Sequence, residues 1–147
     1  MLPEEVEEVR VMTIVRKLRI KLLPEQAEQV KLFCWIRSRP DLEPYAMHLA
    51  NERKTSFITG TLLKIMGVRA GASDVMLPIA RQGFHGLFVE LKAGKGRMTP
   101  NQRKFLADMT TQGYLSVCCT GYESARAFIE AYMGDGNLSN ICTNRVA

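Results

Sequence analysis

No apolar run in the chain approaches the ~20 residues that a helix needs to cross a bilayer, so no membrane partner is expected. The N-terminus carries Glu4, Glu5, Glu7 and Glu8 and does not fit a secretory signal. The four cysteines include no CxxC pair, and neither histidine stands at zinc spacing. Both a disulfide framework and a structural zinc site are thereby disfavoured. Reduced thiols in a cytoplasmic setting are the expectation, with Cys118 and Cys119 on opposite faces of one strand. There is no internal repeat and no low-complexity segment.

Acidic residues are scarce in one place only. Residues 51–104 hold ten Lys and Arg but three acids, two of which are Asp74 and Glu90. The flanking thirds are close to balanced or slightly acidic. A basic field around a few carboxylates suits a polyanion brought to a metal site, although a basic solubilising face would have the same composition. With 147 residues the chain fits one domain with a sizeable core.

Hydrophobic spacing and end signals divide the chain. Val6, Val9, Met12 and Val15 could stripe a helix, whereas Arg16 to Leu22 alternates like a strand. Residues 1–23 are therefore read as an N-terminal arm or extra element. Pro24 opens a helix to Arg37, with Ala27, Val30, Phe33 and Cys34 as the main stripe. Glu28, Leu32 and Trp35 form a second line beside it. Tyr45 to Ala50 reads as a short strand, and Thr55 or Ser56 as the cap of a helix that stops at Gly67. Asp74 heads a short apolar run, and Arg81 to His85 joins it to Leu87–Lys92. Thr99, Pro100 and Gln102 mark a capped helix start. Tyr114 to Thr120 is a strand, and Gly121 to Met133 the last helix. Residues 134–147 are a tail. The order predicts an α/β fold with a mixed sheet: an antiparallel hairpin, then a right-handed parallel crossover.

Glu90 and Lys92 leave their strand on one face, because a strand repeats every two residues. Asp74 lies at the head of the neighbouring strand. Two carboxylates on adjacent strands suit a hard divalent cation, with the backbone carbonyl of Leu91 as a third ligand. Lys92 would orient water or stabilise developing charge. By itself the pattern D-x(15)-E-x-K is weak, since acid-x-Lys is also common as a solvated surface pair.

Three ordered motifs widen it: Gly67-Val68-x-Ala70-Gly71-x-Ser73-Asp74, Gly86-Leu87-x-Val89-Glu90-Leu91-Lys92, and Gly96-Arg97-x-Thr99-x-x-Gln102. Together they resemble the virus-type replication-repair nuclease (VRR-NUC) domain of the PD-(D/E)xK nuclease superfamily. The resemblance spans roughly residues 24–133. It implies a restriction-endonuclease-like core, with a mixed four-stranded sheet flanked by helices. It also implies a metal-dependent endonuclease that hydrolyses DNA phosphodiester bonds with Mg²⁺ or Mn²⁺. Asp74 matches the metal-binding aspartate, Glu90 the second ligand and Lys92 the catalytic lysine. Gln102 matches a glutamine early in the following helix that accompanies the motif, and it reads as a catalytic side chain, a capping side chain or both. Glu28 matches an acid on the first core helix, which implies a catalytic role as an outer-shell or second-metal ligand, although an exposed helix acid would read the same. Ser73 departs from the proline often found before the aspartate. Arg69, Arg81, Lys95 and Arg97 are candidate phosphate contacts, and His85 a structural or phosphate-contacting residue. Stand-alone members resemble Holliday junction resolvases. A homodimer acting on branched DNA, of phage origin and working in the host cytoplasm, is the implied setting. A monomeric nickase or flap nuclease and a non-catalytic DNA-binding module are the alternatives.

Overall fold

The computed structural model describes residues 2–49, 56–135 and 138. Five helices and four strands follow in order: α1 (Pro3–Lys17), α2 (Pro24–Arg37), β1 (Met47–His48), α3 (Phe57–Ile65), β2 (Val75–Leu77), β3 (Leu87–Lys92), α4 (Pro100–Thr111), β4 (Leu115–Thr120) and α5 (Tyr122–Glu130). A single π-helical turn, Ala131–Asp135, closes the chain's regular structure among the described residues.

The sheet runs β1-β2-β3-β4. The first two pairings are antiparallel and β3–β4 is parallel, with Leu87 opposite Leu115 and Lys92 opposite Thr120. This is the mixed four-stranded sheet flanked by helices that the element order predicts. The parallel step needs a crossover, and α4 supplies it. Period-two alternation then sorts β3. Leu87, Val89 and Leu91 join Leu115, Val117 and Cys119 in the core with Leu32, Trp35 and Ile36 of α2 and Phe128 and Ile129 of α5. Phe88 points the other way and meets Phe105 of α4 edge-on, ring centroids 5.4 Å apart. Glu90 and Lys92 share that second face, so the catalytic candidates sit opposite the main core. Burial pushes the Cys119 thiol up to about 12, which keeps it protonated and inert.

Local predictions are corrected in three places. Arg16 and Lys17 end α1, and Arg19 takes a positive φ of 53°, so Arg16 to Leu22 is no strand. Its apolar members Ile20 and Leu22 line a groove of about 790 Å³ between α1 and α2. In α2 the stripes exchange roles. Leu32, Trp35 and Ile36 face the sheet, while Val30 and Phe33 line that groove beside Val11 and Ile14. Among the described residues β1 is Met47–His48, because the Tyr45 and Ala46 N–H groups both turn back to Leu42 O. Ser56 caps α3 through its hydroxyl, and the Thr55 alternative lies outside the described residues. So does most of the expected tail, 134–147.

α1 is tied to the domain. Arg126 of α5 donates through Nη1 to both oxygens of Glu4 at 3.0 Å and through Nε to Glu130 at 3.1 Å, with its guanidinium 5.3 Å from the Trp35 ring centroid.

Candidate active site

Asp74 is the residue just before β2. Since Val75 pairs with Val89, the next step outward sets Asp74 beside Glu90. Asp74 Oδ2 accepts from the Leu91 N–H at 2.8 Å, so its carboxylate reaches over the end of β3. The N–H and C=O of one strand residue leave on the same side. The Leu91 carbonyl therefore faces the Asp74 side of the strand as well.

Glu90 is 1% and Lys92 6% exposed. A buried carboxylate is costly unless a charge partner is close. Lys92 Nζ lies 2.8 Å from Glu90 Oε1 and meets that need. A second carboxylate arrives from α2, with Glu25 Oε1 3.7 Å from Nζ. Burial works to lower the Lys92 pKa. The Glu90 hydrogen bond and the charges of Glu90, Glu25 and Asp74 outweigh it, and the ammonium is held above its ordinary value. Cys118, opposite Glu90 on β4, is raised by burial and then by the Glu90 charge. It faces the site as a neutral thiol.

Glycines bring the surrounding elements in close. A Cβ on Gly71 would lie 2.4 Å from Asn101 C and 2.7 Å from Gln102 N, so the approach to Asp74 packs directly on the first turn of α4. A Cβ on Gly96 would meet Glu25 Oε1 at 3.2 Å and the Lys92 stem at 3.7 Å. The α4 start is the capping box expected there. Gln102 Oε1 accepts from Thr99 N–H at 2.8 Å, and Thr99 Oγ1 accepts from Gln102 N–H at 3.3 Å. Gln102 is 3% exposed, and its carbonyl oxygen serves the helix end.

Asp74, Glu90, the Leu91 backbone and Lys92 come together. Glu28 makes a different bond: its Oε2 accepts from the Tyr122 N–H at 2.7 Å and so caps the positive N-terminus of α5. The α2 acid beside Lys92 is Glu25, one turn earlier, which the sequence pattern did not single out. The i, i+3 spacing of Glu25 and Glu28 was the available signal. Arg69, Lys95 and Arg97 are exposed on segments at the site end of the sheet. Arg81 is not. It follows β2 at the far end of the hairpin, beyond Leu77 and Leu87. That end is a β3 length, about 16 Å, from Lys92. Arg103, in the first turn of α4, was also missed; it is exposed and its charge reaches Cys118. His85 packs on the segment that leads into β4. Its N–H donates to Gly113 O at 2.9 Å and its ring packs edge-on against Tyr114.

Among the described residues no group of three or more His, Cys, Asp or Glu side chains forms a metal cage. Two carboxylates with one backbone carbonyl are instead an all-oxygen, incomplete set. Such a set fits Mg²⁺, which takes oxygen ligands and retains several waters.

The VRR-NUC domain model matches residues 15–123, which leaves most of α1 outside the match. A solved structure described as a "VRR_NUC domain protein" superposes with a TM-score of 0.68 at 28% identity, covering 80% of this chain and 93% of that one. No curated protein matches the chain. With the motif residues gathered at one sheet end and the family model spanning most of the sequence, the chain belongs to the VRR-NUC family and carries its nuclease-type domain.

Proposed function

We propose that the chain is a metal-dependent endonuclease that hydrolyses DNA phosphodiester bonds, with residues 24–133 as the nuclease domain. The observation that carries this reading is the buried Glu90–Lys92 pair, 2.8 Å apart, beside an Asp74 carboxylate anchored on the Leu91 N–H. Asp74, Glu90 and the Leu91 carbonyl would hold Mg²⁺ or Mn²⁺. Such an ion, when bound, polarises a phosphoryl oxygen and acidifies its water. Lys92 contributes a permanent positive charge for the developing phosphorane charge, steadied by Glu90 and Glu25. Gln102 fixes the α4 terminus against the Asp74 approach. Glu28 fixes α2 to α5 and so sets where Glu25 falls. Arg69, Lys95, Arg97 and Arg103 form the proposed phosphate-contacting surface; Arg81 is left out of it.

Cleavage of four-way junction, flap, single-stranded and duplex DNA, with Mg²⁺, Mn²⁺ or EDTA, tests the assignment. Metal-supported cleavage with preference for the junction is expected. Preference for flaps or single nicks would favour a nickase or flap nuclease. EDTA-insensitive binding without cleavage of any substrate would sink the enzyme and leave a DNA-binding module.

Resolving a junction takes one site for each of two strands, and thus a second copy. The α3 surface supports such pairing. Ile58, Leu62 and Ile65 form a helical stripe 79%, 52% and 77% exposed. Lys64 and Arg69 flank it, and no acid occurs between Glu52 and Asp74. The outer face of α1 complements it, with Leu2, Val6 and Val9 exposed beside Glu5 and Glu8. Exchange of α3 onto the partner's α1 would close a two-fold pair. Leu62→Glu is expected to convert a dimer of the 147-residue chain to a folded monomer in sedimentation. A wild-type monomer at tens of micromolar, or a dimer untouched by the substitution, would refute this surface.

A further inference from the structure

Asp74 is gripped at its main chain as well as at its carboxylate. Its carbonyl oxygen lies 2.6 Å from His48 Nδ1 and accepts from the Leu49 N–H at 3.2 Å. A carbonyl can only accept, so Nδ1 must carry the proton and Nε2 is the nitrogen turned away from the bond. The donors come from His48, the last residue of the short strand β1, and from Leu49 just after it; β1 pairs His48 with Val75, the residue next to Asp74. The grip adds a hold from the sheet edge to the packing of the Gly71 approach on α4. Asp74 stands in a bend, between a glycine-containing approach and a strand of three residues. A metal ligand must be held to within about 0.5 Å, and a carboxylate swings with its backbone.

We propose that His48 is a positioning residue for Asp74: its Nδ1–H fixes the Asp74 carbonyl and thereby the direction of the carboxylate that the proposed metal would use. The inference rests on the reading of Asp74 as a metal ligand. His48 itself touches neither metal nor substrate in this arrangement. It acts through the main chain, from the edge of the sheet. His48 also borders the groove between α1 and α2.

The side chain of asparagine can set an amide N–H where Nδ1 stands; leucine has no donor, and glutamine carries its own one bond further out. Mn²⁺ binding to the full chain, measured by calorimetry without DNA, separates these cases. His48→Leu is expected to weaken Mn²⁺ by about 10-fold, within the 10- to 100-fold range for outer partners of metal ligands. His48→Asn is expected to stay within about threefold of wild type on the same argument. Cleavage by His48→Leu should recover toward the wild-type rate at saturating Mn²⁺, a split that a general loss of folding would not produce. If the leucine variant does not fold, His48→Gln serves in its place. Equal Mn²⁺ affinity in wild type and in the variant that lacks a donor at the Nδ1 position overturns the inference. The Asp74→Asn chain is the control for the underlying reading. If it binds Mn²⁺ as wild type does, Asp74 is no ligand, and that reading fails whatever His48 shows.

Discussion

Asp74→Asn should reduce metal-supported DNA cleavage by at least 10²–10³-fold, the order lost when one electrostatic group is taken from a hydrolytic site, about 2.7–4 kcal/mol of barrier. The substitution keeps size and shape. Its amide oxygen can still accept from the Leu91 N–H, the 2.8 Å bond that carboxylate Oδ2 now makes. Melting should therefore change little while turnover collapses. Lys92→Ala should lose activity on the same scale, but with a different companion effect. Lys92 Nζ, 2.8 Å from Glu90 Oε1, is the charge partner of a carboxylate that is 1% exposed. Removing one member of a buried pair typically costs about 3–5 kcal/mol. Lys92→Ala should thus melt earlier than Asp74→Asn. Initial cleavage rates against Mg²⁺ concentration, with thermal unfolding of each purified chain, read both effects. Full cleavage by either variant would end the assignment of these residues to catalysis.

The contrast between those two residues bears on what a sequence can disclose. β3 was legible to the residue, because Leu87–Lys92 is bounded by glycine and its alternation assigns faces without tertiary information. The α4 start was legible as well, since Thr99, Pro100 and Gln102 act on one another within a single turn. Segments whose faces are decided by the packing of one helix on another were not. Arg16 to Leu22 alternates like a strand, yet Ile20 and Leu22 find their partners in the groove between α1 and α2, and among the described residues the segment pairs with no strand. The two stripes of α2 were both visible, but only the presence of α1 decides which one faces the sheet.

The site divides along the same line. Asp74, Glu90 and Lys92 could be found because adjacent strands bring their ends together by construction. Whether Glu25 or Glu28 meets Lys92 depends on how far α2 slides over the sheet. The anchoring of Glu28 on the Tyr122 N–H, 94 positions away, sets that slide. No local spacing encodes it. Arg81 is a different case. A hairpin that begins at Asp74 and returns to end at Lys92 must turn at the opposite end of the sheet. Its connecting residue is excluded from the site by topology alone.

Gly71→Ala should be among the most damaging changes available without touching a charged group. Gly71 has φ of +80°, and a Cβ there would stand 2.4 Å from Asn101 C, 2.5 Å from Asn101 O and 2.7 Å from Gln102 N. Every one of those atoms is backbone of the α4 start, which cannot rotate away as a side chain would. The left-handed conformation costs a non-glycine residue about 1–2 kcal/mol, and overpacking at this contact adds about 1–3 kcal/mol. A loss of about 2–5 kcal/mol is large against the 5–15 kcal/mol by which domains are stable. It corresponds to a fall in melting temperature on the order of 10 °C. Gly67→Ala separates the two contributions, for Gly67 has φ of +99° and nothing within 4 Å of its added Cβ. It should pay only the conformational part and leave cleavage near wild type. In Gly71→Ala the loop must lift from α4, and Asp74, three residues on, moves with it. Cleavage at a temperature where the variant is still folded should therefore drop by at least 10-fold, a loss of about 1.4 kcal/mol in the barrier. If Gly71→Ala melts and cleaves like Gly67→Ala, the close packing of the glycine approach on α4 is not what holds Asp74 in place.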